Sequence, residues 1–224
     1  MNIWTHLLPV FLWIYLMYDI YNNPVKFTTS EDTFIFIGFL FCSTCTMLFS
    51  ALYHTFRSQN ESYYHWFLSC DLRGILIMLV GCNLITTHFE LRCYRKERSF
   101  YFILIVFCFV SLAIWVSKMV RERLTKQRTV YFALYSFIGF TAWLYKYNQT
   151  NGSNMSTYWP MGLSYLSIGF ALVVRALRYP EKKFPYIFDI FGASHQIFHS
   201  IVIFSAWILV YGYRKLLAEG KFEC

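Results

Sequence analysis

The stretch TFIFIGFLFCSTCTMLFSALYHTF, residues 33–56, runs for 24 residues without a Lys, Arg, Asp or Glu. At about 1.5 Å per helical residue it is long enough to cross the roughly 30 Å of hydrocarbon in a bilayer. Working outward, six more charge-free stretches lie at 3–18, 74–89, 99–117, 129–145, 155–174 and 190–213. Seven such stretches use up most of the 224 residues and leave no room for a soluble domain. The expected fold is therefore an all-α membrane protein, a seven-transmembrane-helix bundle forming one domain over residues 1–224. Composition agrees, because only 14% of residues are charged and 57% are apolar, where soluble domains carry about a quarter charged. A nucleic-acid module, a secreted disulfide scaffold and a cytosolic enzyme are excluded.

The formal charge of +8 sits almost wholly between the spans, as in Arg92, Arg95, Lys96 and Arg98 or Arg121, Arg123, Lys126 and Arg128. Basic residues there meet lipid headgroups, so no nucleic-acid partner is implied. No basic residue precedes Lys26 and no small-residue cleavage pattern precedes Asp19, so residues 3–18 read as a first span rather than a signal peptide. Ser30, Glu31 and Asp32 suit the start of the second helix. Pro180 and Pro185 predict an extended connection before the last span. The seven cysteines give no pairing, and Cys42 and Cys45 read as small side chains on a helix face.

Ionisable groups inside spans are rare, so they mark where function should be sought. With the N-terminal side named side A, alternating connectivity puts the end of the second span and the starts of the third and seventh on that side. His54, Asp71, His195 and His199 then share one depth. His195 and His199 are four residues apart, which puts both imidazoles on one helix face. Three imidazoles with an open fourth position make the arrangement of a catalytic zinc. The H-x-x-x-H spacing alone is a weak signal and suits hydrogen-bonding glue between membrane helices more than a metal. Asp71 finds no partner in Arg73, because residues two apart point away from each other, and a carboxylate near a metal could act as a base toward water. Ser50, one turn before His54, could bind water or a substrate carbonyl, or bond back to its own helix. His6, at side A depth, reads as a polar cap or interfacial contact at the start of the first span rather than as a fourth ligand, His65 as a membrane-interface residue, and His88 lies across the bilayer from the others.

These positions also carry a resemblance. SALYH at 50–54, DLRGI at 71–75 and RYPEKKFPYIFDIFGASHQIFH at 178–199 resemble the progestin and adipoQ receptor family, which includes the adiponectin receptors, and NIWTHLL at 2–8 is similar to the start of its first span. The family's last string has glycine where this chain has Tyr186, and the acidic residue usual before its first span has no counterpart ahead of Asn2. The resemblance implies a seven-helix fold holding zinc through His54, His195 and His199, with Ser50 and Asp71 beside the metal. It also implies hydrolysis of the amide of a ceramide-like lipid, substrate or ligand, and leaves room for a protein ligand or signalling partner. The alternative is a non-enzymatic receptor or Golgi scaffold whose zinc is structural. Structural zinc usually has four protein ligands, so three histidines favour the hydrolase. Lys and Arg number ten on side A and nine on side B and give no orientation. Three N-x-S/T sequons at Asn148, Asn151 and Asn154, against one at Asn60, favour a luminal or extracellular side B. The expected setting is a plasma or Golgi membrane, with the N-terminus cytosolic.

Overall fold

Seven helices are described in the computed structural model, which covers residues 2–152, 157–188 and 190–222: α1 Asn2–Asn22, α2 Ser30–Phe56, α3 Glu61–Glu90, α4 Arg95–Arg121, α5 Thr125–Gln149, α6 Trp159–Leu177 and α7 Ser194–Ala218. The sequon at Asn154 lies outside the described residues. Caps fix several of the starts. Thr29 and Asp32 form a capping box on α2, with the Asp32 backbone N–H donating to Thr29 Oγ1 at 3.2 Å and the Thr29 N–H donating to Asp32 Oδ2 at 2.8 Å. Asn60 Oδ1 accepts from the Tyr63 N–H at 2.9 Å to start α3.

Six of the seven helices are long and apolar enough to span a membrane, and α5 is not among them. The expected seventh span is thus weaker than its charge-free stretch suggested. Tyr131, Tyr135, Ser136, Thr141 and Tyr145 dilute its hydropathy without adding charge. An integral multi-pass membrane protein follows from the other six. Large apolar side chains such as Phe34, Ile103, Ile114 and Leu166 stand on the outside, as expected where the solvent is lipid.

Helices adjacent in sequence pack side by side from α1 to α5 and again for α6 with α7, α3 also packs on α5, and α7 returns to α1 and α3. Small residues let α2 and α3 approach closely. A Cβ on Gly74 would lie 3.2 Å from Thr46 Cα, and one on Gly81 would lie 3.0 Å from Cys42 Cβ. The Thr46 hydroxyl uses the closeness, donating to the Gly74 carbonyl at 2.7 Å. The core has two parts. One joins Trp13, Phe36, Phe39, Phe89 and Tyr213, and the other joins Leu72, Leu76, Ile105, Val116 and Tyr135.

Side B is closed by ion pairs that sequence reading missed. Arg214 reaches Asp19 at 2.8 Å, Arg98 reaches Glu31 at 3.2 Å and Arg92 reaches Asp32 at 2.6 Å. His88, read from sequence only as remote, holds Asp32 at 2.7 Å. An arginine can only donate, so Arg98 Nη1 at 3.3 Å makes His88 Nδ1 the acceptor, and His88 Nε2–H the donor to Asp32. Lys146 pairs with the enclosed Glu90 at 2.9 Å, and Tyr213 donates to the same carboxylate at 3.0 Å. Cys93, in the turn between α3 and α4, is disulfide-bonded, whereas Cys42, Cys45, Cys70, Cys82 and Cys108 are free.

Removing one partner of a buried pair leaves an uncompensated charge, which costs about 3–5 kcal/mol. Lys146→Met should therefore lower unfolding stability in detergent by about that amount, and adding Glu90→Gln should recover much of it. Additive losses in the double variant would show that the pair is not coupled.

Candidate metal centre

The last turn of α2 and the first turns of α1 and α7 meet at side A. Their imidazoles meet with them. The His54 ring lies 5.4 Å from that of His195 and 6.2 Å from that of His199, centre to centre, and His195 and His199 are 4.3 Å apart. The Nε2 atoms of His195 and His199 are separated by 3.1 Å. The i, i+4 spacing on α7 produces that closeness, as expected for one helix face.

A fourth imidazole stands among them. His6, expected to be a polar cap, is 1% exposed, with its ring 4.0 Å from that of His199 and 5.2 Å from that of His54. Donor nitrogens of His6, His54 and His199 all lie within 4.8 Å of one another. Shared depth on side A was the available signal for His6. Depth alone could not say that α1 packs against both α2 and α7.

A tetrahedral zinc with nitrogens at about 2.0–2.1 Å sets them roughly 3.3–3.4 Å apart. The His195–His199 separation of 3.1 Å is already within a few tenths of an ångström of that. His195 Nδ1 is enclosed with no hydrogen-bond partner among the described residues. An all-nitrogen donor set suits zinc rather than calcium or magnesium, which take oxygen. The residues fit the metal.

Asp71 and Ser50 sit together one turn deeper. Ser50 is buried and its hydroxyl acts on the Asp71 carboxylate. The sequence offered Asp71 no cation on its own helix, and the structure agrees; the positive charge acting on it comes from Arg128 at the start of α5. Arg73 is turned away, as its spacing required, and donates to Ser117 Oγ at 2.5 Å.

Residues 1–210 match the family of haemolysin-III-related proteins. The chain belongs to that family. Its relatives include the adiponectin receptor protein of Drosophila melanogaster, 26% identical over 96% of this chain and 50% of the relative. Progestin and adipoQ receptor family member 3 of Homo sapiens is 26% identical over 90% of this chain and 68% of its own length. Progestin and adipoQ receptor-like protein 1 of Caenorhabditis elegans is 22% identical over 96% and 51%. The chain thus spans about half to two-thirds of the length of these relatives.

For a haemolysin-III-related protein, the segment before α7 has a clear local logic. It is turned, not extended as Pro180 and Pro185 suggested. The N–H groups of Lys183 and Phe184 bond the Pro180 carbonyl at 2.9 and 3.1 Å, and that of Lys182 bonds the Arg178 carbonyl at 2.9 Å. Carbonyls before and at Pro180 remain free to accept, so proline does not prevent these turns. Tyr186 has φ +70°, the left-handed region that favours glycine, which accounts for the glycine usual at this place.

The turns deliver Glu181 to the start of α7. Its two carboxylate oxygens accept from the Ser194 N–H at 2.7 Å and the Ser194 hydroxyl at 2.5 Å. Ala193 at the N-cap position offers no side-chain bond, so Glu181 supplies the missing cap on the helix that carries His195 and His199. Partial burial opposes ionisation of Glu181, but the Ser194 bonds outweigh it and hold the carboxyl below its ordinary 4.5. A carboxyl depressed in the folded state stabilises above its unfolded pKa, and that contribution is lost as pH falls through the folded value. Acidification below about pH 4.5 should thus destabilise the wild type more than Glu181→Gln, with thermal unfolding in detergent as readout. Parallel pH curves for the two proteins would remove this cap from the stability account.

Proposed function

We propose that this haemolysin-III-related protein holds a zinc ion in its side A imidazole cluster and hydrolyses the amide of a ceramide-like lipid. The ligands in this reading are His54, His195 and His199. The observation that carries it is the 3.1 Å approach of His195 Nε2 to His199 Nε2, with His54 beside both. When bound, zinc supplies Lewis acidity that polarises a carbonyl and makes water easier to deprotonate.

The chain's own groups do the rest. Asp71 takes the proton from water as the water oxygen bonds to the amide carbon, and returns it to the departing nitrogen as the C–N bond breaks. A fatty acid and a long-chain amine leave. Ser50 aids the water, which it can orient through its lone pairs while its O–H stays on Asp71, or aids the carbonyl, to which it can donate only by giving up that bond. An apolar groove of about 460 Å³ between α5 and α6, lined by Phe140, Trp143, Tyr165 and Phe170, lies in the side B half of the bundle, away from the imidazoles.

The reading takes α5 as the seventh span. Arg128 near its start accompanies Asp71 on side A, and Lys146 near its end accompanies Glu90 on side B. It also takes the N-terminus as cytosolic, in a plasma or Golgi membrane. The disulfide at Cys93 and the sequons at Asn148 and Asn151 support an oxidising, luminal or extracellular side B.

One observation favours the second reading, a receptor or scaffold with structural zinc: His6 brings a fourth nitrogen to the cluster, and closed zinc sites have four protein ligands. The relatives' names, adiponectin receptor and progestin and adipoQ receptor, point the same way.

Two measurements separate the readings. Elemental analysis of detergent-purified protein should give about one zinc per chain, and His195→Ala or His199→Ala should lower it strongly; zinc unchanged in both variants would remove the centre. Asp71→Asn should keep its zinc and lose about 10²–10⁴ of the rate of fatty-acid release from ceramide. Equal rates at equal zinc content would take Asp71 out of the chemistry, and no release by the zinc-loaded wild type would favour the receptor.

A further inference from the structure

We infer that Arg73, Ser117 and the basic end of α4 form a binding site for the headgroup of an anionic phospholipid, on the outer face of the bundle between α3 and α4 at side A. The inference is independent of the metal reading.

It begins with a cation that the fold leaves without an anion. On side B, Arg92, Arg98, Lys146 and Arg214 each reach a carboxylate within 3.2 Å. Arg73 does not. Asp71, two residues away, is turned inward to Ser50, and among the described residues no carboxylate pairs with Arg73. The Arg73 side chain is exposed, and its guanidinium donates to Ser117 Oγ at 2.5 Å. A hydroxyl is a neutral partner, and a charge at the edge of hydrocarbon is costly until an opposite charge meets it.

The depth is that of lipid phosphates. Arg73 immediately precedes the charge-free stretch 74–89, and Ser117 ends the stretch 99–117. Their bond therefore joins α3 and α4 where both enter the headgroup region. Ser69, one turn from Arg73 on the same face of α3, places its Oγ 3.5 Å from Ser117 Oγ. Ser117 accepts from Arg73 through a lone pair, and its own O–H can serve a phosphate oxygen.

More positive charge stands just above. Arg121 lies one turn beyond Ser117 on the same face of α4, and the exposed Lys118 holds its ammonium 4.8 Å from the ring centre of Trp115. The helix dipole alone accounts for cations in the last turn of α4, but not for Arg73, which stands well inside α3. Glu122 is the acidic residue of this turn and pairs with none of the three cations. On the membrane side, Phe107, Val110 and Ile114 make an exposed apolar strip at helical spacing that leads up to Lys118. An acyl chain along that strip brings its phosphate to the cations. Arginine grips phosphate with two parallel N–H bonds, whereas a zwitterionic lipid carries its own ammonium into the same place. The fit is thus to a lipid of net negative charge.

Native mass spectrometry of the full chain in detergent, titrated with phosphatidylserine, phosphatidylcholine or inorganic phosphate, tests the site. The wild type should retain one phosphatidylserine in preference to phosphatidylcholine. Arg73→Gln should weaken that binding by roughly fivefold, the contribution of one Lys or Arg near an anionic surface, and Lys118→Gln combined with Arg121→Gln by more. Ser117→Ala, which keeps every charge, should weaken it by a smaller factor. Replacing the exposed side B residues Arg95 and Lys96 by Gln should leave it unchanged. No preference for phosphatidylserine in the wild type, or an equal loss in the side B variant, would overturn the inference in favour of none or of diffuse attraction. Displacement of the lipid by inorganic phosphate at equal concentration would overturn it in favour of a site for the free anion.

Discussion

Polar groups inside hydrocarbon have no water to turn to, so each must find its partner within the bundle. That constraint divides the molecule into two ends with different chemistry. On side B the partners are opposite charges: Asp32 with His88 and Arg92, Glu90 with Lys146 and Tyr213, Asp19 with Arg214. On side A the imidazoles of α1, α2 and α7 are gathered against one another. The ion pairs hold the helices in register, and that register decides which histidines meet at the other end.

The charge-free stretches located six membrane-spanning helices well, because apolar length is a direct demand of the bilayer. They set the boundaries of α3 and α4 too short. The α3 helix runs from Glu61 to Glu90 and α4 from Arg95 to Arg121, since charged residues at helix ends extend toward the interface without leaving the helix. The turned segment before α7 was not legible because proline restricts φ and donors but leaves carbonyls available, and carbonyls make these turns.

The candidate site was legible to the extent that depth is legible. His54, His195 and His199 meet as their positions along the spans required, whereas lateral neighbours are a tertiary property. No spacing within α1 could reveal that His6 faces α7, nor could spacing on α3 reveal that the positive charge acting on Asp71 comes from Arg128 of α5. Glu181 was visible only as part of a family string, and its purpose as a cap came from the positions of Ser194 and Ala193. The substitution of tyrosine for glycine at 186 lies in the same loop and leaves the imidazoles in contact.

The central claim is that side A, rather than the carboxylates of side B, is where a metal is held. Anomalous diffraction at the zinc edge from crystals of the zinc-loaded protein locates the ion directly. The account predicts one strong peak among the ring nitrogens of His54, His195 and His199. A peak beside Asp32 or Glu90, or no ordered zinc within reach of the histidines, would contradict it.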